Sequence, residues 1–218
     1  MILTPKVTAR IPIEADCVSP DSFSGKSVED VKNLEIFFGN KRKKIGDAFE
    51  VVMGQEGSDE IVIHGDVSNV KHIGAGMSFG KISIMGNVGM HLGREMKGGE
   101  ITVQGNVGDW AAAEMRGGLV RIKGDAGSLL GAAYRGSKSG MKGGIILVDG
   151  SAGHEVGELM KRGIIAVSGN LASFAGAHMK GGSILCFGKI GARAGAEMDR
   201  GTIVAFNEIG LLPTFKYG

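Results

Sequence analysis

Apolar residues recur along most of this chain in short alternating bursts at fixed intervals. The pairs Ile61/Ile63, Ile82/Ile84, Ile101/Val103, Val120/Ile122, Ile146/Val148, Ile165/Val167, Ile184/Cys186 and Ile203/Ala205 each lie two residues apart. Residues two apart share one face of a strand, and β-branched side chains suit a pleated surface. A glycine opens each later burst: Gly80, Gly99, Gly118, Gly144, Gly163, Gly182 and Gly201, at steps of 19, 19, 26, 19, 19 and 19 residues. A second glycine closes each strand six residues on, from Gly86 to Gly188, and an earlier copy closes at Gly65, 21 residues before Gly86. Methionine always stands three residues before the opening glycine, at Met77, Met96, Met115, Met141, Met160, Met179 and Met198.

Six residues of strand followed by a glycine-rich turn cannot bury an apolar face alone. Stacked copies can, and their strands are then parallel. The pattern predicts an all-β solenoid, a right-handed parallel β-helix of about eight turns. At ~4.8 Å per turn the rod is roughly 38 Å long. The leucine-rich frame is absent, 19 is not a multiple of the hexapeptide period, and no aspartate column supports a calcium-binding repeat. The glycines allow tight bends under a neighbouring turn, and the methionines are expected to fill the core's irregular corner.

Residues 1–57 do not repeat and are expected to form a small α/β cap over the solenoid's first edge. Lys6–Ile13, Glu35–Phe38 and Asp47–Met53 read as strands, and Ser27–Leu34 as a short helix with an acidic first turn. The β-helix is expected over 58–207 and a tail over 208–218.

Composition narrows function mostly by exclusion. A net charge of +2, one Trp and two Tyr do not suggest a nucleic-acid partner. No apolar run is long enough for a membrane helix, and the N-terminal residues do not resemble a signal peptide. Two distant cysteines, Cys17 and Cys186, suit a reducing cytoplasm. Counted from the strand-closing glycine, His91, His154 and His178 fall at offsets five, four and nine, so no ladder of metal ligands is expected. No glycine-rich turn carries the Lys-Ser/Thr of a phosphate loop. The outward strand charges Lys81, Glu100, Arg121, Lys123 and Asp149 look too scattered for a polysaccharide-cleaving flank. No catalytic, cofactor-binding or metal-binding residue is assigned.

Three surfaces stand out. The residue after the methionine is basic at Lys97, Arg116, Lys142, Lys161 and Lys180. That column is either a solvated corner or a seat for an acidic partner or substrate tail, with Glu95 and Glu114 placed to relieve two of its charges. Outward strand positions turn apolar in the later turns, at Ile145/Leu147, Ile164/Ala166, Leu185/Phe187 and Val204/Phe206. Such a face needs a cover, either the chain's own ends, including Leu211–Phe215, or a partner protein. The seven extra residues near Tyr134–Gly140 form a loop whose Tyr134, Arg135 and Lys138 suit partner docking.

The run Met96–Gly108, Met-Lys-Gly-Gly-x-Ile-x-Val-x-Gly-Asn-x-Gly, resembles the GXGXG repeat family. That family includes the C subunit of formylmethanofuran dehydrogenase and the C-terminal β-helix of glutamate synthase. The start Ile2–Lys6, Gly25–Glu29, the insertion Ala133–Met141 and the ending Leu212–Tyr217 are similar to the dehydrogenase protein, although many such chains run some tens of residues longer. The resemblance implies a non-catalytic scaffold in a methanogenesis complex that reversibly reduces carbon dioxide and attaches it to methanofuran as a formyl group. It places tungsto- or molybdopterin, iron–sulfur clusters and amidohydrolase metals in the partners: a catalytic pterin subunit, an amidohydrolase subunit and the D subunit. Alternatives within the resemblance are a stand-alone glutamate synthase β-helix subunit, or the C subunit of a methylotroph formyltransferase/hydrolase complex.

Overall fold

The structure is a computed structural model that describes residues 1–6, 11–55, 57–207, 209 and 212–215. Strands β1 (Ile2–Pro5) and β2 (Ile13–Glu14) are followed by the short helices α1 (Pro20–Phe23) and α2 (Val28–Lys32). Then come β3 (Glu35–Phe38), β4 (Lys41–Lys44), α3 (Ile45–Ala48) and β5 (Phe49–Val52). The repeats contribute β6 (Glu60–Ile63), β7 (Val70–Lys71), β8 (Lys81–Ile84), β9 (Glu100–Val103) and β10 (Leu119–Ile122). The rod ends with β11 (Lys142–Val148), β12 (Arg162–Val167), β13 (Lys180–Cys186) and β14 (Arg200–Ala205).

Strands β6 and β8–β14 stack in chain order in a 10-stranded sheet, giving a parallel solenoid of about eight turns. Register follows the apolar repeat: Ile61, Ile82, Ile101, Val120, Ile146, Ile165, Ile184 and Ile203 form one inward column. The inward pairs are buried in every turn but the last, where Ile203 and Ala205 are half-buried. A second parallel ladder of single residues runs from Val67 through Val88, Val107, Ala126, Ala152, Leu171 and Ile190 to Ile209. Beside it, side chains carry hydrogen bonds from turn to turn. Asn87 Oδ1 accepts from the Asn106 N–H at 2.8 Å, Asn106 Oδ1 from Asp125 at 2.8 Å, and Asp125 Oδ1 from Ser151 at 2.7 Å. These bonds satisfy backbone donors at the bend, where ladder pairing is interrupted.

Methionine and glycine share one space. A Cβ at Gly144, where φ is +91°, would come within 2.7 Å of Met115 Cε and within 2.9 Å of the Gly118 carbonyl oxygen. The thioether of one turn therefore fills the volume that the glycine of the next turn leaves open, and the motif needs both residues. Six of the seven methionines are fully buried, and Met198, in the last turn, is partly buried.

The N-terminal segment is joined to the rod. Strand β1 pairs parallel with β6, and β5 pairs antiparallel with β1, so both extend the long sheet. Strands β4, β3, β2 and β7 make a second sheet of four. The strand expected at Lys6–Ile13 is displaced. Pairing instead occupies Ile2–Pro5 and resumes at Ile13, while residues 7–10 of that expectation lie outside the described residues. Pro12 has no N–H to give a ladder, whereas Ile13 donates to the Asn69 carbonyl at 2.9 Å. The expected helix contracts to α2, with Ser27 and Asp30 closing a capping box. Strand β3 matches expectation, while α3 takes up the start of the strand expected at Asp47–Met53.

Candidate interaction surfaces

The outer face of the long sheet changes character along the rod. In the early turns its charges pair with one another. Lys81 stands 4.0 Å from Glu60 and 3.8 Å from Glu100. Asp149 lies 2.8 Å from Lys123 and 3.6 Å from Arg121. The Lys123 hydrogen bond holds the Asp149 carboxyl below the usual carboxylate range. These residues looked scattered in the sequence, but register gathers them into two neutralised ladders.

In the later turns the same positions are apolar and uncovered. Leu147, Ala166, Leu185 and Val204 form one outward column, and Ile145 aligns with Ile164. Phe187 and Phe206 are 48% and 57% exposed and stack at 4.4 Å, nearly coplanar. The described part of the tail goes elsewhere. A Cβ at Gly195 would lie within 2.7 Å of Phe215 Cζ, just as one at Gly176 would lie within 2.8 Å of Ile203 Cδ1. Phe215 therefore plugs the core where a further turn would place its isoleucine. Leu211 lies outside the described residues.

The basic column is real in space. Lys97, Arg116, Lys142, Lys161 and Lys180 each donate a backbone N–H to a methionine carbonyl of the preceding turn, at 2.7–2.8 Å. Lys142 is half-buried and the other four are exposed. Asp199 follows them in the column by the same bonding rule, whereas Ser78, one repeat before Lys97, gives its N–H to the Asp21 carboxylate. Arg116 pairs with Glu95 at 3.3 Å. Glu114 does not relieve the column; it accepts the Tyr134 N–H at 3.2 Å.

A fourth feature was not anticipated. His72, His91 and Trp110 stack ring on ring, at 4.6 and 5.6 Å between centroids. All three sit at positive φ, 67°, 63° and 56°, a region costly for bulky residues. Inter-turn hydrogen bonds hold them there: His72, His91 and Trp110 donate to Met90, Asp109 and Ser128. The interval of 19 residues between 72, 91 and 110 carries the signal. Counting from strand-closing glycines hid it, because the step into Gly86 is two residues longer than the period. Two histidines therefore do share a column, contrary to the expectation from offsets.

Tyr134 leans on this stack. Its ring lies 5.6 Å from His91 and 6.4 Å from Trp110, and its hydroxyl is 2.9 Å from His91 Nδ1. Burial pushes the Tyr134 phenol up to about 12, so it stays protonated and donates. Burial, then the His72, Lys71 and Arg94 charges, pushes His91 down to about 4, so its ring is neutral and accepts. Asp16 reaches in from the cap, 3.9 Å from His72 Nδ1 and 3.7 Å from the Arg94 guanidinium. The insertion is thus pinned to its own chain through Tyr134, and Arg135 and Lys138 are its cations.

Cys186 is buried in the inward column, and burial raises its thiol. Burial likewise pushes Cys17 up to about 11. Among the described residues no group of three or more His, Cys, Asp and Glu could hold a metal, and no helix is long and apolar enough to cross a membrane.

No family model matches the sequence. The chain is 46% identical over 93 residues to the C subunit of tungsten-containing formylmethanofuran dehydrogenase 2 from Methanothermobacter marburgensis, covering 41% of this chain and 34% of that protein. It is 45% identical over 89 residues to the C subunit of molybdenum-containing formylmethanofuran dehydrogenase 1 from Methanothermobacter thermautotrophicus, covering 41% of this chain and 22% of that protein. The match thus spans less than half the length of these curated relatives. Among solved structures, a chain of the formyltransferase/hydrolase complex from Methylorubrum extorquens, crystallised with methylofuran, superposes with a TM-score of 0.91 at 33% identity. That superposition covers 98% of this chain and 80% of the other.

Proposed function

The chain belongs to the family of formylmethanofuran dehydrogenase C subunits, and from this premise we propose that it is a non-catalytic scaffold within a formylmethanofuran dehydrogenase complex. The reaction served is the reversible reduction of carbon dioxide and its attachment to methanofuran as the formyl group, in the cytoplasm. The observation that carries the scaffold role is the outer face of β11–β14. Ile145, Leu147, Leu185, Phe187, Val204 and Phe206 form a continuous apolar strip on a sheet whose inner face is already filled. Large aromatic side chains left half in water are typical anchors of a protein–protein interface.

The occupant is another member of the complex: the catalytic pterin subunit, the amidohydrolase subunit or the D subunit. Tungsto- or molybdopterin, iron–sulfur clusters and amidohydrolase metals belong to those partners. Arg135 and Lys138 extend the contact from the insertion, which Tyr134 holds in place. The chain's own residues position its partners and take no part in bond making.

The test is purification of the assembled complex from native cells with identification of each component. Co-purification with the dehydrogenase proteins, and loss of that association on Phe187→Asp/Phe206→Asp, is the expected result. Tungsten or zinc held stoichiometrically by the isolated, tag-free chain would overturn the non-catalytic reading. The superposition on the Methylorubrum extorquens structure favours a second reading, membership of a formyltransferase/hydrolase complex. Partners that lack both tungsten and molybdenum select it.

A further inference from the structure

The charged columns of this rod are neutralised within the chain, with one exception. Lys81, Arg121, Lys123 and Arg116 all have carboxylate partners within 4.0 Å. At the first cation of the basic column the cap supplies the acid. Asp21, in α1, accepts hydrogen bonds from the backbone N–H of Ser78 and from its hydroxyl, and the Lys97 charge helps hold its carboxyl below the usual range. Beyond Arg116 the column holds no acid until Asp199 at its far end. Lys142, Lys161 and Lys180 continue the column, and Arg162 and Arg200 pair in register with Lys142 and Lys180. None of these five has a carboxylate within 4.0 Å among the described residues. Like charges one turn apart repel, and among the described residues no carboxylate within ion-pair distance offsets that repulsion, with Asp199 standing beside Lys180 and Arg200 at the column's end.

We propose that the Lys142–Arg200 stretch seats an acidic helical face of a partner protein, continuing along the rod the contact that Asp21 makes at its start. This rests on the reading that the chain is one component of a complex. Pitch selects the helix. Solenoid turns repeat every ~4.8 Å. Acidic residues at i, i+3 and i+7 of a helix fall at roughly 0, 4.5 and 10.5 Å along its axis, against roughly 0, 4.8 and 9.6 Å for the three lysines. Same-face residues of an extended strand are ~6.7 Å apart and drift out of step by the third cation. The partner is therefore an acidic helix, and neither an extended acidic tail nor a small anion.

The probe is an alanine-rich helical peptide with Glu at i, i+3 and i+7, titrated against the full chain. The control has the same composition with its register broken by proline. Binding of the helical peptide should weaken about tenfold between low ionic strength and ~0.15 M salt. It should weaken by at least as much in Lys161→Glu/Lys180→Glu. Lys81→Glu, on the outer sheet face, should leave it unchanged. Absence of binding at low salt, or binding indifferent to the double reversal, overturns the proposal. Equal binding of the proline-broken peptide or of inorganic phosphate overturns its helical form. Co-purification of identified partners with Lys161→Glu/Lys180→Glu separates the two levels of the argument. If the variant assembles as the unaltered chain does, the basic seat fails and the scaffold reading stands. If the unaltered chain finds no partner, the scaffold reading itself fails.

Discussion

Turns β6–β9 and turns β11–β14 share one interior and differ on the outside. Inward, both present paired aliphatic residues and a buried methionine against a glycine. Outward, the first set carries Glu60, Lys81 and Glu100 in alternating sign, while the second carries Ile145, Ile164, Phe187 and Phe206. The fold needs only the inward columns. Outward positions are free of that demand, so what stands there reports on the neighbour each stretch suits: water along the first half and, on the proposed reading, another protein along the second.

The largest expected effect tests whether the interior really is shared. Met96→Ala under the charged half and Met160→Ala under the apolar half should each cost about 2–5 kcal/mol, since both side chains are fully buried. Urea denaturation should give values within about 1 kcal/mol of each other. A much cheaper Met160→Ala would mean that the two halves do not rest on one core.

Next in size is the outward contrast. Phe187→Ala/Phe206→Ala should weaken assembly by about 2–4 kcal/mol, roughly 30-fold or more, as expected of interface anchors. The isolated chain should stay within about 1 kcal/mol of its original stability, because both rings are half in water. Lys81→Ala/Glu100→Ala should leave assembly untouched and alter stability by less than about 1 kcal/mol. Equal damage to assembly from the two double variants would abolish the distinction between the halves.

The smallest effect lies at the seam, where Tyr134 meets the ring stack. His91 is held neutral, with its value moved from 6.5 down to about 4. A histidine depressed in the fold gives stability that is fully present above its unfolded value. That stability is lost as pH falls from about 6.5 to about 4. Discounted for a half-exposed ring, the loss is roughly 1–2 kcal/mol. His91→Gln should flatten that window in urea titrations at several pH values. Tyr134→Phe should cost about 1 kcal/mol at neutral pH. A window equally steep in both His91→Gln and the unaltered chain would place the titration elsewhere.

The repeat was legible because its determinants are local and periodic: a methionine, a glycine three residues on, and two inward aliphatics in every turn. The cap was less legible. Ile2–Pro5 is too short to show a period, and its pairing with β6 spans about sixty residues, a contact no local pattern records. The later apolar face could be read from outward positions alone. Its charged counterpart could not, because Asp149 meets Lys123 only through the 26-residue step. Tyr134 looked free to anchor a partner because its acceptor, His91, is 43 residues away. The tail's destination followed from packing: Phe215 fits the vacancy over Gly195 that the absence of another turn creates.

The sheet ends on strands of opposite sense. Among the described strands, β14 forms one edge and runs with the stack, while β5 forms the other and runs against it. A second rod placed head to tail would set β14 against a strand of reversed polarity, beneath which lie Phe49 and Val51 in place of the next aliphatic pair. The two edges are therefore unlike faces: one would continue the parallel stack and the other would not. The seven surplus residues between Gly118 and Gly144 lengthen one bend and leave the stack of β10 on β11 unbroken. A body that takes an insertion in a bend without changing the ~4.8 Å step between its strands behaves as a ruler, fixing the spacing of whatever lies along its side.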